Sequence, residues 1–204
     1  IGPDYLPGHA HADTLSFELS LFNERILVNS GTSQYGYGLY RLYERGTKAH
    51  NTVVINSENS SEVWSGFRVA RRAYPRDLEI YKCDEFISVS CAHDGYLRLS
   101  GQVIHKRSWV LQPGKLVVRD QISGEFEDAV SYFHFHPDLY VSSLNSSTHL
   151  LCLPISRERV HISVKRGVSS IKESFFAPEF GIRLNRRCLA IQFESNNDVE
   201  VEMT

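Results

Sequence analysis

The chain has 204 residues, 42% of them hydrophobic and 23% charged, with a formal net charge of −2. That length and composition bury a full core and suit one β domain, and the charge balance excludes the bulk electrostatics of a nucleic-acid binder, leaving only local basic patches. No apolar run is long enough to cross a bilayer as a helix, and the first residues lack the basic-then-apolar pattern of a secretion signal.

In chain order, the first predicted element carries Gly8-His9-Ala10-His11-Ala12-Asp13 into the alternating Leu15-Ser16-Phe17-Glu18-Leu19-Ser20-Leu21. Read as a strand, this alternation sends the imidazoles of His9 and His11 to one face. Phe22-Asn23-Glu24-Arg25 then turns the chain into Ile26-Leu27-Val28-Asn29, expected to pair antiparallel and to bring Asn29 beside His11. A Gly- and Tyr-rich loop follows, with Tyr35, Tyr37, Tyr40 and Tyr43, and Leu39 to Arg45 is its only hint of a helical turn. Its phenols suit proton transfer or sugar stacking, or simple loop packing. His50-Asn51-Thr52-Val53-Val54-Ile55 brings a third imidazole to the edge of another strand.

Arg68, Arg71, Arg72 and Arg76 lie close together next. Guanidinium forks match carboxylate or sulfate groups, and a charged edge strand accounts for them equally well. Further strands are predicted at Glu79–Lys82, Phe86–Cys91, Val103–Leu111, Lys115–Val118, Ala129–Phe135, Leu139–Ser142 and Cys188–Phe193. Gln112-Pro113-Gly114-Lys115 sets Pro and Gly for a type II turn between two of them. Tyr132-Phe133-His134-Phe135-His136-Pro137 repeats the histidine alternation, giving either a second site or a polar strand face lining the same cleft. Cys83, Cys91, Cys152 and Cys188 have no metal-like spacing and read as buried free thiols. The fold class is therefore all-β, a large antiparallel β-sandwich.

His9, His11 and His50 together suit a zinc site, with Asn29, Asp13, water or substrate as further donors, while histidines on a strand face are as readily satisfied by ordinary hydrogen bonds. The ordered set from Gly8 to Leu19, Ile26-Leu27-Val28-Asn29-Ser30-Gly31-Thr32, Ala49-His50-Asn51-Thr52-Val53-Val54, Trp64 to Arg72 and Tyr132 to Pro137 resembles the C-terminal β-sandwich of heparinase II/III-like polysaccharide lyases. The match is dense over residues 2 to 76 and thinner to about residue 193.

The resemblance implies a fragment, residues 1–204 as one β-sandwich domain, of a longer enzyme whose N-terminal α/α toroid lies outside this chain. Such an enzyme cleaves uronic-acid-containing anionic polysaccharide by β-elimination in a cleft between toroid and sandwich. It further implies His9 as acid/base or charge-neutralising group, Tyr35 or Tyr37 as a catalytic tyrosine, and zinc held by His11, Asn29 and His50. Arg68, Arg71, Arg72 and His134 are the candidates for substrate binding. Asn29 departs from the family's Asp, a neutral donor that weakens a dication's hold. A periplasmic or secreted location follows from the family's substrates, and the isolated chain is expected to be inactive. Two alternatives stand beside this reading. One is a non-catalytic carbohydrate-binding or structural module with structural zinc; the other is a cupin-like metal enzyme, which the distance from His11 to Glu18 disfavours.

Overall fold

The computed structural model describes residues 5–194 and 197–204. Its strands are β1 (Leu19–Leu21), β2 (Glu24–Leu27), β3 (Val53–Ile55), β4 (Val63–Trp64), β5 (Arg68–Val69), β6 (Pro75–Lys82), β7 (Ile87–His93), β8 (Ile104–Gln112), β9 (Lys115–Ser123), β10 (Ala129–His134), β11 (Tyr140–Ser143), β12 (Thr148–Cys152), β13 (Arg159–Arg166), β14 (Val168–Phe176), β15 (Leu184–Gln192) and β16 (Asp198–Met203). One helix, α1 (Leu39–Arg45), and a 3-10 turn at Thr47–Ala49 complete the elements.

Eight strands form one antiparallel sheet in the order β11-β12-β13-β16-β9-β8-β7-β6, and β14-β15-β10-β3 form a second. The core lies between them. Val160, Ile162 and Val164 alternate inward from β13 and Val199, Val201 and Met203 from β16, meeting Val53, Ile55, Phe133, Leu189 and Ile191 of the smaller sheet. The sandwich predicted from the strand pattern is the fold observed.

Local turn chemistry fixes the hairpins. Gln112 pairs with Lys115 across Pro113-Gly114, and Gly114 takes the positive φ of 70° that the second turn position demands. Phe22 and Asn23 join β1 to β2 with φ of 51° and 63°, both left-handed, as in a type I′ turn. After β2, Gly31 sits at φ 74° against the Ala177 carbonyl, where a Cβ would come within 2.1 Å of the oxygen. This close approach ties the segment after Asn29 to the end of β14.

The His9–His11 motif is not on a strand, which corrects the expectation from its alternation. Regular pairing begins only at Leu19, and the preceding segment is irregular because its amides bond elsewhere. Ala10 N donates to Pro7 O, Ala12 N to Arg45 O at the end of α1, and Ser16 N to Asp13 O, while Leu15 adopts a left-handed φ of 62°. Strands β4, β12, β13, β14 and β16 have no counterpart among the expected strands. All four cysteines are free, with Cys91 and Cys188 buried.

Candidate functional site

Two layers of side chains meet at one end of the smaller sheet. The outer layer is aromatic. His9, exposed, packs edge-on to Tyr35 with ring centroids 5.4 Å apart and to Phe67 at 5.8 Å. Tyr35, half-exposed, also contacts Phe67 and Phe180. Gly66 explains how the tyrosine loop comes to lie there. Any Cβ at Gly66 would meet the Gly36 carbonyl oxygen at 2.5 Å, so the β4–β5 turn and the loop share backbone contact. Tyr37 is 81% exposed. Of the two candidate tyrosines, Tyr35 is the one beside His9.

The inner layer is polar, with His50 and Arg41 buried and His11 and Asn29 half-buried. His11 and His50 stand with ring centroids 5.2 Å apart, and His50 Nδ1 lies 3.1 Å from Asn29 Oδ1. Burial pushes His50 down to about 4 and His11 down to about 3, the latter helped by neighbouring His50 and Arg41, so both imidazoles are neutral at pH 7. Asn29 is oriented by its surroundings. Its Oδ1 accepts from Ser16 Oγ at 2.8 Å and its Nδ2 donates to Glu18 Oε1 at 3.3 Å, while Glu18 is held in turn by Arg25. Arg41 joins the layers. It is 1% exposed; its Nη1 lies 3.2 Å from His11 Nε2, its Nε donates to Gly66 O, and its guanidinium sits over the Tyr35 and Phe67 rings.

Sequence reasoning missed Arg41 and the other buried arginines that hold these segments. Arg45 donates to the carbonyls of Ala10, Trp64, Ser65 and Arg68, and so fastens the histidine loop to the β4–β5 hairpin. Arg107 of β8 donates to the Leu15 carbonyl at 3.0 Å and to that of Asn51, and makes a two-pronged pair with Asp120. Arg186 of β15 donates to Val28 O at 2.8 Å and Asn29 O at 3.4 Å. Arginine suits this use because it carries five fixed donors and no acceptor. Arg41, Glu44 and Arg45 share the inward face of α1, the i, i+3, i+4 stripe where apolar side chains are the usual occupants.

The expected substrate-binding residues do not gather at this site. His134 is buried, with Nε2 2.9 Å from Lys48 O and Nδ1 3.2 Å from Ser174 Oγ, so both ring nitrogens are used within the protein, and it borders a separate cavity of about 360 Å³ with Tyr43, Lys48, Tyr132 and Lys172. Arg71 is engaged by Glu62 through Nε at 2.8 Å and Nη2 at 2.5 Å. With Arg72 it lines a concavity of about 500 Å³ that also includes Tyr74, Asp94 and Arg98 but not His9. Arg68 lies over the exposed Trp64 ring, on the hairpin that also carries Phe67. It is the arginine of the cluster joined most directly to the His9 layer.

The three expected zinc ligands, His11, Asn29 and His50, do come together, yet their hydrogen bonds do not leave a zinc site. Arginine only donates, so His11 Nε2 presents its lone pair to Arg41 and Nδ1 carries the proton. Asn29 Oδ1 is an acceptor for Ser16, so His50 Nδ1 donates to it, leaving the His50 Nε2 lone pair buried without a partner. One free lone pair and a neutral amide oxygen that already accepts two hydrogen bonds fall short of the three or four donors zinc takes. Among the described residues no three His, Cys, Asp or Glu side chains are grouped to hold a metal ion.

The model for the family described as heparinase II/III-like, C-terminal, matches residues 1–201 of the chain. The chain belongs to that family. Among solved structures, the heparan sulfate lyase HepC from Pedobacter heparinus matches this heparinase II/III-like chain with a TM-score of 0.76 at 15% identity, over 96% of this chain and 30% of that one. A heparinase III matches with a TM-score of 0.72 at 16% identity, again over 96% and 30%. At such identity the likeness carries the fold. This member of the family therefore spans about 30% of the length of the lyases it matches. A comparison with curated protein sequences yields no match.

Proposed function

We propose that this chain is the sandwich wall of a polysaccharide lyase acting on a uronic-acid-containing anionic polysaccharide, with His9 and Tyr35 as the groups that meet the sugar. The observation that carries the reading is their pairing at the surface, over a buried layer that fixes both the histidine loop and the tyrosine loop. Family membership supports the class of reaction, and the lyases among the solved structures support a larger enzyme in which a second domain completes the cleft.

Elimination removes the C5 proton of the uronate, moves that electron pair into a C4–C5 double bond, and expels the 4-linked oxygen, which takes up a proton. An imidazole and a phenol are suited to these two transfers. Charge building on the substrate carboxylate must be neutralised as well. Arg68 is the residue of this chain nearest to that duty, and the remaining groups are assigned to the missing toroid. Metal-activated water has no part in such a reaction, so no step is routed through zinc. Because its substrates lie outside the cytoplasm, the reading also carries a periplasmic or secreted site of action.

The test uses the full-length protein and the ultraviolet absorbance of the unsaturated uronate product, with heparan-type, alginate-type and capsular polysaccharides in turn. His9→Ala and Tyr35→Phe are each expected to lower kcat by about 10²-fold or more while the fold is retained. The present chain alone is expected to give no turnover. Unchanged kcat in both variants, or strong turnover by this chain alone, would overturn the assignment.

A further inference from the structure

The groups that the family pattern gives to zinc are served here by a cation belonging to the chain. Arg41 Nη1 stands 3.2 Å from His11 Nε2. A zinc bound to that nitrogen at about 2.0 Å would lie within the space the guanidinium fills. Ligation through the other nitrogen fails for a different reason: it moves the ring proton to Nε2, where it would face a donor that cannot accept it. Either mode therefore requires Arg41 to leave.

Arg41 is poorly placed to leave. Its Nε is bonded to Gly66 O at 3.1 Å, its Nη1 lies 3.3 Å from Thr32 Oγ1, its Cζ lies 5.4 Å from the Tyr35 ring centre and 5.8 Å from that of Phe67, and it is almost completely buried. Charge points the same way. The oxygen donor at position 29 is an amide and brings no charge of its own to a dication set beside the guanidinium; the carboxylates near the cluster are Glu18, already bonded to Asn29 and Arg25, and Asp13. A neutral residue 29 and a buried arginine on His11 make a consistent pair. We propose that the guanidinium of Arg41 is the resident cation of the His11–Asn29–His50 cluster, and that this chain holds the cluster without zinc. Arg41 is then a positioning residue: it fixes the His11 tautomer from one edge and supports the Tyr35 ring.

Metal content and tautomer are read without substrate, so this inference stands or falls apart from the lyase reading. The chain is purified without chelators, its zinc measured by plasma mass spectrometry, and zinc titrated in against a chromophoric indicator. Long-range ¹H–¹⁵N correlation of the imidazoles is recorded alongside. The expected result is sub-stoichiometric zinc and a His11 ring protonated at Nδ1 with its lone pair on Nε2, unchanged by added zinc. One tightly held zinc per chain, or a His11 protonated at Nε2, would overturn it. The double variant Asn29→Asp with Arg41→Gln is expected to raise zinc affinity by about tenfold or more over the parent chain. A folded double variant with no gain would refute Arg41 as the group that excludes the metal, and if that variant does not fold, the parent's tautomer decides.

Discussion

Replacing Arg45 by methionine tests how the histidine loop is held. The guanidinium is fully buried and makes five N–H···O contacts with four carbonyls: two with Ala10 at 3.1 Å and one each with Trp64 at 3.3 Å, Ser65 at 3.0 Å and Arg68 at 3.1 Å. At about 1 kcal/mol net for each contact, the loss is about 5 kcal/mol. Removing a buried charge and packing methionine in its place offsets about 2 kcal/mol of this. The net destabilisation of about 3 kcal/mol corresponds to a fall in Tm of about 6–12 °C for a domain of this size. Urea unfolding measures the first quantity and a thermal melt the second, while amide exchange at Ala10 and Ala12 reports whether the loop loosens locally. Arg45→Lys keeps the charge but reaches fewer carbonyls, and is expected to fall between the parent and the methionine variant. A methionine variant that loses less than about 1 kcal/mol, with loop amides still protected, would refute the reasoning.

Two further outcomes follow from the buried network. Asp120→Asn removes the carboxylate shared by Arg107, His105 and Ser131, and is expected to cost about 3–5 kcal/mol in urea unfolding because it strands a buried guanidinium; a loss under about 1 kcal/mol would be the contrary result. Stability is also expected to fall between pH 6.5 and 4.5. His11 and His50 have folded pKa values lowered to about 3 and about 4 from 6.5, so the unfolded chain binds more protons in that window, and the contribution is complete above pH 6.5 and lost as pH falls. Each such histidine adds up to about 1.4 kcal/mol per pH unit, and burial moves His93, His105 and His134 in the same direction. Glu62, held at about 2 by Arg71, loses its contribution only at lower pH. A urea midpoint that stays flat from pH 7.5 to 4.5 would contradict this account.

The parts of the fold legible in the chain were those with strong local chemistry. Pro113-Gly114 set its own turn, and Leu39 to Arg45 gave the one α-helix among the described residues. Strands β13 and β16 carried a readable signal as well: Val160, Ile162 and Val164, and Val199, Val201 and Met203, alternate at period two. Strand β14, by contrast, shows little alternation in hydropathy because its more buried positions mix Ser169 and Ser174 with Ile171 and Phe176. At the site, the family resemblance implied that His11, Asn29 and His50 would converge, but not how. The alternation of His9 and His11 mimicked a strand, whereas the backbone there is fixed by bonds to α1, which lies thirty residues on in the chain. Nothing local marks an arginine as buried, so Arg41 and Arg45 were invisible until their carbonyl partners came from other segments.

Those partners explain why a site built from irregular segments can be rigid. Loop backbone carries unpaired carbonyls, and sheet pairing ends before each of the segments that matter here. Arg45 takes carbonyls of the histidine loop and the β4–β5 hairpin, Arg107 those of Leu15 and Asn51, Arg186 those of Val28 and Asn29, and Arg41 that of Gly66. Each guanidinium spans two segments or joins one to a sheet. The arginines thus do between loops what ladder bonds do between strands, and their charges remain inside because oxygen acceptors face them: carbonyls for Arg45 and Arg186, the Asp120 carboxylate with two carbonyls for Arg107, and Gly66 O with Thr32 Oγ1 for Arg41. Asp120 offsets the charge of Arg107 and buried Glu44 lies near Arg41, so Arg45 and Arg186 are the two whose hydrogen-bond partners are all neutral oxygens.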